Sequence, residues 1–389
     1  MSFFSLKNNP AVSLIFDVRD YAISIAAIKL KEDGKPEMIL CKRFEIKNTD
    51  TTDYAKYTDS MIKTLDNGII AIRKSLARMG NLDKIKDYHF FIGSPWSVSE
   101  SKKIKIVKDR PFEVTKEIIE RIVNDEELAT EQGLSKKNNA NWKLLEEKII
   151  QFKLNGYKVE KIFDKKITEL EAEVFVSFIP RIIHNYLSKL NLTGAINVTL
   201  NSSTLASYVF FRDLYADRNN FIYIDVSKFV TELYLVKDDV ISGIASFPFG
   251  EKHMIRAMKM QENLDENKIL SYINMYCHGS CDTEVEKIVK RAAKASVKVW
   301  LEQLNRAISK LSSDIDIPKD IFIIENSNAI KTLFKEIRNE GLKISLVKTK
   351  IDFINESRID DFVANGKSVK EEPYVKMDTV FLNKNISKK

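Results

Sequence analysis

Glycine and proline are scarce in this chain, whose 389 residues include 12 glycines and 8 prolines. Together with a hydrophobic content of 44%, this composition argues against long disorder and collagen-like sequence. The shortage of glycine also bears on ligand binding. Loops that cradle phosphate groups use glycine to bring backbone N–H groups close to the anion.

Cysteines and long apolar runs are equally sparse. Cys41, Cys277 and Cys281 are too few for a disulfide framework and are typical of a reducing cytosol. The first ten residues lack the apolar core and cleavage site of a signal peptide, and no uncharged apolar run approaches the length of a membrane-spanning helix. We therefore predict a cytoplasmic protein whose membrane contact is peripheral or made through a partner.

Neither sign of charge dominates, since 62 Lys and Arg against 55 Asp and Glu give a net charge of +7. The basic runs at 102–103 and 165–166 lie beside acidic residues, and no basic stripe with interleaved aromatic residues is present. We therefore predict no nucleic-acid partner. The length predicts two to three domains.

Two stretches of the chain begin with an apolar strand that ends at an aspartate. The first strand ends at Asp17 and is followed by predicted strands at 21–30 and 37–46, whereas the second ends at Asp225 and is followed by strands at 231–236 and 240–247. Short turns join these strands, so each stretch predicts an antiparallel meander, and helical patterns follow both. The repetition indicates an internal duplication on the scale of a domain.

Residues 88–179 show the order strand, helix, strand, strand, which predicts a compact α+β module. Asn155 and Gly156 separate two of its strands and are the strongest short hairpin signal in the chain. Trp96, in the turn at 93–97, is a candidate exposed contact residue of this module.

One short segment, at 277–281, places Cys277, His278 and Cys281 close together. These residues supply part of a zinc site, but a closed site needs a fourth ligand and the chain has no second Cys/His pair. The alternative interpretation is a helix–helix loop built of small residues.

The order of these elements resembles the actin-like ATPase fold, a two-lobed, ribonuclease H-like α/β architecture. It is most similar to the FtsA and PilM branch of bacterial cell-division and type IV pilus proteins, in which a strand–helix–strand–strand module is inserted in the first lobe. The implied domains are the first lobe (1–85 and 180–218), the inserted module (86–179), the second lobe (219–370, with a helical subdomain at about 251–312) and a flexible tail (371–389).

The nucleotide motifs of this family are degenerate here. The family's first hairpin begins Asp-Ile-Gly, matched by Asp17-Val18-Arg19, and its glycine-rich second hairpin is matched by residues 225–231, which contain no glycine. The later Gly-Gly pairs correspond to residues 249–250 and 325–326. The resemblance implies that nucleotide, if bound, is held by Asp17, Arg19, Asp225, Ser227, Lys228, Thr231, Gly250, Glu325 and Asn326.

In the family, the two hairpin aspartates hold a hydrated Mg²⁺, so Asp17 and Asp225 are the implied metal ligands. The alternative is that each aspartate ends a strand and caps a turn. Arg19 and Lys228 either bind a phosphate or neutralise the two aspartates and close the cleft. We predict closure, because bulky Phe229 and the lost glycines leave less room for a nucleotide.

The resemblance predicts a cytoplasmic scaffold of the PilM or FtsA type that recruits or assembles inner-membrane machinery for type IV pilus assembly or cell division. We expect a pseudo-ATPase that binds ATP and Mg²⁺ poorly and has no catalytic residues. Its predicted partners are the cytoplasmic peptide of an inner-membrane assembly protein and further copies of itself. The alternative function is an active ATPase or small-molecule kinase of the same fold.

Overall fold

The computed structural model describes residues 11–47, 53–138, 141–163, 165–190, 196–311, 317–324, 326–340, 343–344, 347–348, 350–354, 356–366 and 372–386. In this part of the chain, two large sheets lie at the centres of two lobes, and a third sheet belongs to a separate module.

The first lobe begins with an antiparallel meander followed by a long helix and a parallel strand. Its elements are β1 (Val12–Val18), β2 (Ala22–Lys29), β3 (Glu37–Glu45), α1 (Tyr54–Arg78), a 3₁₀ turn (Leu82–Lys84) and β4 (Ile85–Ile92). β1 and β2 read as almost continuous apolar runs because both of their faces are covered. Leu14 and Phe16 pack in the core that includes α1, whereas Ile15 points into the core on the opposite face.

The inserted module has its own four-stranded sheet. Its elements are β5 (Val98–Glu113), α2 (Lys116–Asn138), β6 (Trp142–Leu154), β7 (Tyr157–Val159) and β8 (Lys166–Pro180). Its strands are ordered β5-β8-β6-β7 and cover a core that includes Leu170, Val174 and Phe178. The chain then returns to the first lobe through α3 (Arg181–Lys189), β9 (Asn197–Ser202) and α4 (Ser203–Leu214).

The predicted start of this module at residue 86 is wrong. β4 pairs in parallel with β1 and with β9, so it is a central strand of the first lobe. Its side chains Tyr88, Phe90 and Ile92 are buried in the core of that lobe. Trp96 was also misassigned. It is fully buried, and its Nε1 donates a hydrogen bond to the backbone oxygen of Arg19 at 2.9 Å.

The second lobe repeats the plan of the first. Its elements are β10 (Phe221–Val226), β11 (Thr231–Lys237), β12 (Val240–Phe247), α5 (Glu251–Glu262), α6 (Glu266–Cys277), α7 (Thr283–Leu311), β13 (Asp320–Ile324), α8 (Asn328–Glu340), the two-residue strands β14 (Lys343–Ile344) and β15 (Val347–Lys348), and β16 (Lys350–Ile354). The sheet order is β12-β11-β10-β13-β16, with the meander antiparallel and the later strands parallel.

The end of the chain crosses back to the first lobe through α9 (Glu356–Asp360), β17 (Ala364–Asn365) and α10 (Pro373–Ile386). β17 pairs with β3, which gives the first sheet the order β17-β3-β2-β1-β4-β9. Residues 364–365 therefore join the first sheet, although the sequence assigned them to the second lobe.

The prediction of a flexible tail at 371–389 is wrong for residues 373–386, which form α10. This helix packs on α4 and on β1, and Tyr374, Met377 and Phe381 lie in a core that both lobes share. Even the charged Lys376 and Asp378 are 1% exposed. Lys376 is compensated by an ion pair with Asp360.

The module contacts the second lobe as well as the first. Lys158 pairs with Asp239 at 3.0 Å, and the Gln151 amide donates to the backbone oxygen of Asp238 at 3.3 Å. On the first-lobe side, Glu146 accepts the Ser202 N–H at 2.8 Å, and burial raises the pKa of this carboxyl to about 7. The module therefore bridges the two lobes. Within the described ranges, no helix is long and apolar enough to cross a membrane.

Candidate functional site

The turns of the two equivalent hairpins, β1–β2 and β10–β11, meet between the lobes, and Arg19 joins them. Its Nε donates to the two carboxylate oxygens of Asp17 at 3.0 and 3.1 Å. Its Nη1 donates to Oδ2 of Asp225 at 3.0 Å. Asp17 and Asp225 therefore lie opposite each other across the lobe boundary, with one guanidinium between them.

The C-terminal helix closes one face of this ion pair. The Arg19 guanidinium lies 3.5 Å from the ring centroid of Tyr374, whose hydroxyl donates to the second oxygen of Asp225. Asn326 donates to the Tyr374 hydroxyl at 2.7 Å and to the backbone oxygen of Val226 at 3.0 Å. The sequence had not identified Tyr374. Pro373, typical of the first position of a helix, and the helical spacing of Tyr374, Met377 and Phe381 are the available signals.

A second connection runs through Asp20, which the sequence had also not identified as a site residue. Its Oδ2 accepts from the Ser227 hydroxyl at 2.7 Å and from the Phe229 N–H at 2.9 Å. Asp20 is fully buried, and this burial raises its pKa to about 6. A carboxylate from the first lobe thus binds the polar groups of the second-lobe turn. We call Asp17, Arg19, Asp20, Asp225, Ser227 and Tyr374 the interlobe cluster.

Burial and pairing act in opposite directions on the charges of this cluster. Burial raises the pKa of Asp17 and of Asp225, and the adjacent Arg19 opposes that rise. Burial also disfavours the charged form of Arg19, but the two carboxylates outweigh it and hold the pKa of Arg19 well above its ordinary value. The guanidinium therefore stays charged between its partners.

Lys228 differs from the prediction that it neutralises an aspartate. Its Nζ lies 4.6 Å from the ring centroid of Tyr21, in the turn of the opposite hairpin. Lys228 therefore contributes a cation–π contact across the lobe boundary.

Thr231 and Gly250 hold the second hairpin in shape. The Thr231 hydroxyl donates to the Phe249 backbone oxygen at 2.6 Å and accepts from Trp300 Nε1 at 3.1 Å. A Cβ on Gly250 would lie 2.5 Å from the Ser227 backbone oxygen, so glycine allows close packing of two backbone segments there. Glu325, the remaining predicted site residue, lies outside the described residues.

As arranged, the predicted ligands do not fit hydrated Mg²⁺. Such an ion needs carboxylate oxygens that are open to its water shell, but Arg19 and Tyr374 engage Asp17 and Asp225. The Phe229 N–H, which lies in the turn expected to bind phosphate, is bonded to Asp20. Among the described groups of this cluster, Arg19 Nη2 and Asp20 Oδ1 are buried without a hydrogen-bond partner.

The segment at 277–281 has contacts of a structural kind. Cys277 Sγ lies 2.9 Å from the Thr332 hydroxyl and 3.2 Å from the Asn328 backbone oxygen, which ties α6 to α8. Within the part of the chain that the structure describes, no group of three or more His, Cys, Asp or Glu side chains is arranged to hold a metal ion. Residues 278–282 join α6 to α7, in agreement with the interpretation of this segment as a helix–helix loop.

Comparisons with known proteins identify similarity of fold. No protein-family model and no curated protein matches the chain. A PilM–PilN type IV pilus biogenesis complex superposes with a TM-score of 0.63 at 10% identity and covers 96% of this chain and 98% of the other. A Bacteroides thetaiotaomicron protein with an actin-like ATPase fold gives 0.42 at 10% identity, covering 98% and 99% of the two chains. The ethanolamine utilization protein EutJ from Carboxydothermus hydrogenoformans gives 0.44 at 10% identity, covering 96% and 90%. The first of these likenesses extends over nearly the whole chain and confirms the fold predicted from its sequence, the two-lobed actin-like fold.

Proposed function

We propose that this chain is a cytoplasmic scaffold of the PilM type, whose lobes are held together by its own side chains and which recruits or assembles inner-membrane machinery. The observation that carries the proposal is the Arg19 guanidinium, which bridges Asp17 and Asp225 where a metal–nucleotide complex would need free carboxylates. The similarity to a protein of a type IV pilus biogenesis complex supports a role in pilus assembly over one in cell division.

The interlobe cluster supports a pseudo-ATPase. Separating the lobes would take the buried Asp225 carboxylate away from the Arg19 guanidinium, whereas Asp17 lies in the same hairpin as Arg19 and would keep it. Opening the lobes costs free energy, because Arg19 and Asp225 lose each other as partners before any other group replaces them. Mg-ATP would have to supply that free energy before it could bind between the hairpins.

The alternative is an active ATPase or small-molecule kinase, in which Arg19 turns away from the aspartates and contacts phosphate. Calorimetry with Mg-ATP, on the native chain and on an Arg19→Ala, Lys228→Ala double variant, separates the two. We expect no binding by the native chain at millimolar nucleotide. Micromolar binding that disappears in the double variant would support the alternative and contradict the scaffold proposal.

The inserted module is the proposed surface for partners. It carries four large apolar side chains that are at least half exposed: Val107 (62%), Leu128 (54%), Tyr157 (78%) and Phe163 (50%). Aromatic side chains of this kind are enriched in protein–protein interfaces. The proposed partner is the cytoplasmic peptide of an inner-membrane assembly protein, and a further copy of this chain is the second candidate.

Cosedimentation with inside-out inner-membrane vesicles from the source cells tests recruitment by a membrane protein. We expect the purified chain to sediment with these vesicles and to lose binding after protease treatment of the vesicles, because the protease removes cytoplasmic segments. A Tyr157→Lys, Phe163→Lys variant should bind less. Ile70→Lys, at an exposed position of α1, is the matched control and should bind normally. Binding that survives protease treatment would indicate lipid contact and contradict the proposal.

A further inference from the structure

Two hairpins, one from the inserted module and one from the second lobe, meet near their turns. Two residues form each turn: Asn155 and Gly156 between β6 and β7, and Asp238 and Asp239 between β11 and β12. The φ angles are 48° and 83° in the module turn and 50° and 72° in the second-lobe turn. Hairpin turns with positive φ at both positions favour glycine at the second one. Asp239 therefore occupies a backbone conformation that glycine adopts more readily than aspartate.

The polar groups of Asp239 are bonded to all three parts of the molecule. Its Oδ2 accepts from Nζ of Lys158 in β7 at 3.0 Å, and its Oδ1 accepts from Nη1 of Arg212 in α4. Its backbone oxygen accepts from the hydroxyl of Tyr208, also in α4, and its N–H donates to the backbone oxygen of Asn219 at 3.0 Å. The module, the first lobe and the second lobe thus meet at one residue. We call the contacts of Asp239 with Lys158, Arg212 and Tyr208 the Asp239 clasp.

Water reaches the Asp239 clasp, which distinguishes it from the interlobe cluster. The side chains of Lys158, Arg212 and Asp239 are 56%, 27% and 22% exposed. Burial raises the pKa of Asp239, but Lys158 and Arg212 outweigh this effect and hold the pKa below its ordinary value, so the carboxylate is charged. Ion pairs that are open to water are screened by salt and are weaker than buried ones. The clasp can therefore open without leaving a buried charge unpaired.

The other attachments of the module do not involve Asp239. Glu146 holds the module to the first lobe by accepting the Ser202 N–H, and β5 lies beside β12 of the second lobe. The backbone oxygen of Asp238 accepts from the Gln151 amide at 3.3 Å, which is long for a hydrogen bond. An open clasp consequently leaves the module folded and attached, but frees its β6–β7 hairpin from the second lobe.

We propose that the Asp239 clasp is a releasable lock that sets the position of the module. While Asp239 binds Lys158 and Arg212, the module is fixed against the second lobe. When these ion pairs are screened or taken over by another charged group, the β6–β7 hairpin leaves the turn and the module tilts on its first-lobe attachment. This inference does not depend on the proposed scaffold function, because the residues of the clasp carry it without any partner.

Double electron–electron resonance between two spin labels measures the position of the module relative to the second lobe. The labels are attached to Asn124→Cys in α2 and Lys298→Cys in α7, two exposed positions outside the clasp. The background carries Cys277→Ser and Cys281→Ser, and Cys41 is buried. With the native clasp at low salt, we expect one narrow distance distribution.

Asp239→Asn removes the charge of the clasp and keeps the size of the side chain. Its distance distribution should become roughly twice as wide, because the hairpin samples open positions. Asp217→Asn is the matched control, since it removes the same charge from a side chain that is 79% exposed, and its distribution should stay narrow. Lys158→Gln should broaden the distribution as well. Combined with Asp239→Asn it should add nothing, because both variants remove the same contact.

Asp239→Gly separates release of the module from loss of stability. Glycine takes a positive φ without steric cost, so this variant should melt at a higher temperature than Asp239→Asn. It also lacks the carboxylate, so its distance distribution should be as broad as that of Asp239→Asn. A merely structural role of the turn would instead give the narrower distribution to the variant that melts at the higher temperature.

Broad distributions in Asp239→Asn, Asp239→Gly and Lys158→Gln, with a narrow one in Asp217→Asn, support the proposal. Raising NaCl from about 0.05 to 1 M should broaden the distribution of the native chain and leave that of Asp239→Asn unchanged, because salt screens exposed ion pairs. Any one of four results overturns the proposal: a narrow distribution in Asp239→Asn, equal broadening in the control, a narrow distribution in Asp239→Gly, or a native distribution that does not respond to salt. Because no membrane, nucleotide or partner is used, these outcomes are independent of the tests of the scaffold function.

Discussion

The two hairpins at the lobe boundary have the same framework and opposite roles. In each, the strand that carries the aspartate pairs antiparallel with the next strand and in parallel with a later one. Arg19 in the first hairpin and Ser227 in the second lie two residues after the aspartate. Asp20 in the first and Lys228 in the second lie three residues after it. Arg19 and Asp20 of the first hairpin extend across the boundary. Asp225 and the turn at 227–229 of the second hairpin bind them.

The contacts of these equivalent positions are crossed. Asp20 accepts from the N–H of Phe229, whereas Lys228 lies over the ring of Tyr21, and Tyr21 and Phe229 are themselves equivalent. In a two-fold interface, position i of one side contacts position j of the other, and position j of the first side contacts position i of the second. The contacts of Asp20 with Phe229 and of Lys228 with Tyr21 follow this pattern. The crossed contacts make the boundary self-complementary, and its equivalent positions Asp20 and Lys228 carry opposite charges.

The largest expected effect comes from removing the charge that the first hairpin supplies. Arg19→Ala leaves Asp17 and Asp225 buried without their counter-ion, so the free energy of unfolding in urea should fall by about 3–5 kcal/mol. Arg291→Ala is the control. Its ion pair with Glu262 involves a side chain that is 62% exposed, and less than about 1 kcal/mol should be lost. Similar losses in both variants would mean that Arg19 does not hold the lobes together.

The second prediction uses pH to isolate Asp20. Its pKa is raised from 3.8 to about 6, so the folded chain binds more protons than the unfolded chain between these values. The associated stabilisation is complete below the lower value and is lost as pH rises through the higher one. On acidification from pH 7 to pH 4, this carboxyl should add up to about 1.4 kcal/mol of stability per pH unit.

Asp20→Asn should remove this component while its side-chain oxygen still accepts from Ser227 and Phe229. The urea-unfolding free energy of the variant should therefore rise less on acidification than that of the native chain. Asp33→Asn, at an exposed turn, changes the same charge without burial and should keep the native pH dependence. Parallel curves for Asp20→Asn and the native chain would contradict the assigned pKa shift.

The elements that the sequence predicted well are those whose signals are local. The two apolar–aspartate meanders are such elements, and they led to the correct fold and to Asp17, Arg19 and Asp225. β4 was assigned to the wrong sheet because an apolar run such as 88–92 fits a central strand of either sheet. Only its pairing with β1 and β9, which are distant in sequence, decides between them.

The missed parts of the site depend on long-range contacts. An aspartate in a turn, such as Asp20, usually caps that turn, so the sequence does not indicate that it is a site residue. Its burial depends on a hairpin more than 200 residues away in the chain. The helix α10 carries Lys376 and Asp378, which suggest a solvated segment. Their burial follows from the fit of α10 against both lobes, and Lys376 finds its counter-ion in Asp360, in another element.

Gly250 tests whether the second hairpin needs close backbone packing to bind the first. In Gly250→Ala, the new Cβ would meet the backbone of Ser227 and Lys228 at 2.5–2.6 Å, so the turn must shift. We expect a loss of about 1–3 kcal/mol in the free energy of unfolding. Gly133→Ala, on an exposed helical turn with no atom within 4 Å, should gain up to about 1 kcal/mol instead. Equal effects would show that the packing at Gly250 is not restrictive.

The smallest expected effect concerns Lys228, the second hairpin's counterpart of Asp20. Lys228→Met keeps most of the aliphatic stem and removes only the charge above Tyr21, so the free energy of unfolding should fall by roughly 0.5–1 kcal/mol. Lys268→Met is the control, because its Nζ is 5.8 Å from the Tyr272 ring and the side chain is exposed. If Lys228→Met costs no more than this control, the crossed contacts are equivalent in geometry but not in energy. The boundary would then be held by the Arg19–Asp225 ion pair and the hydrogen bonds to Asp20, with no measurable share from Lys228.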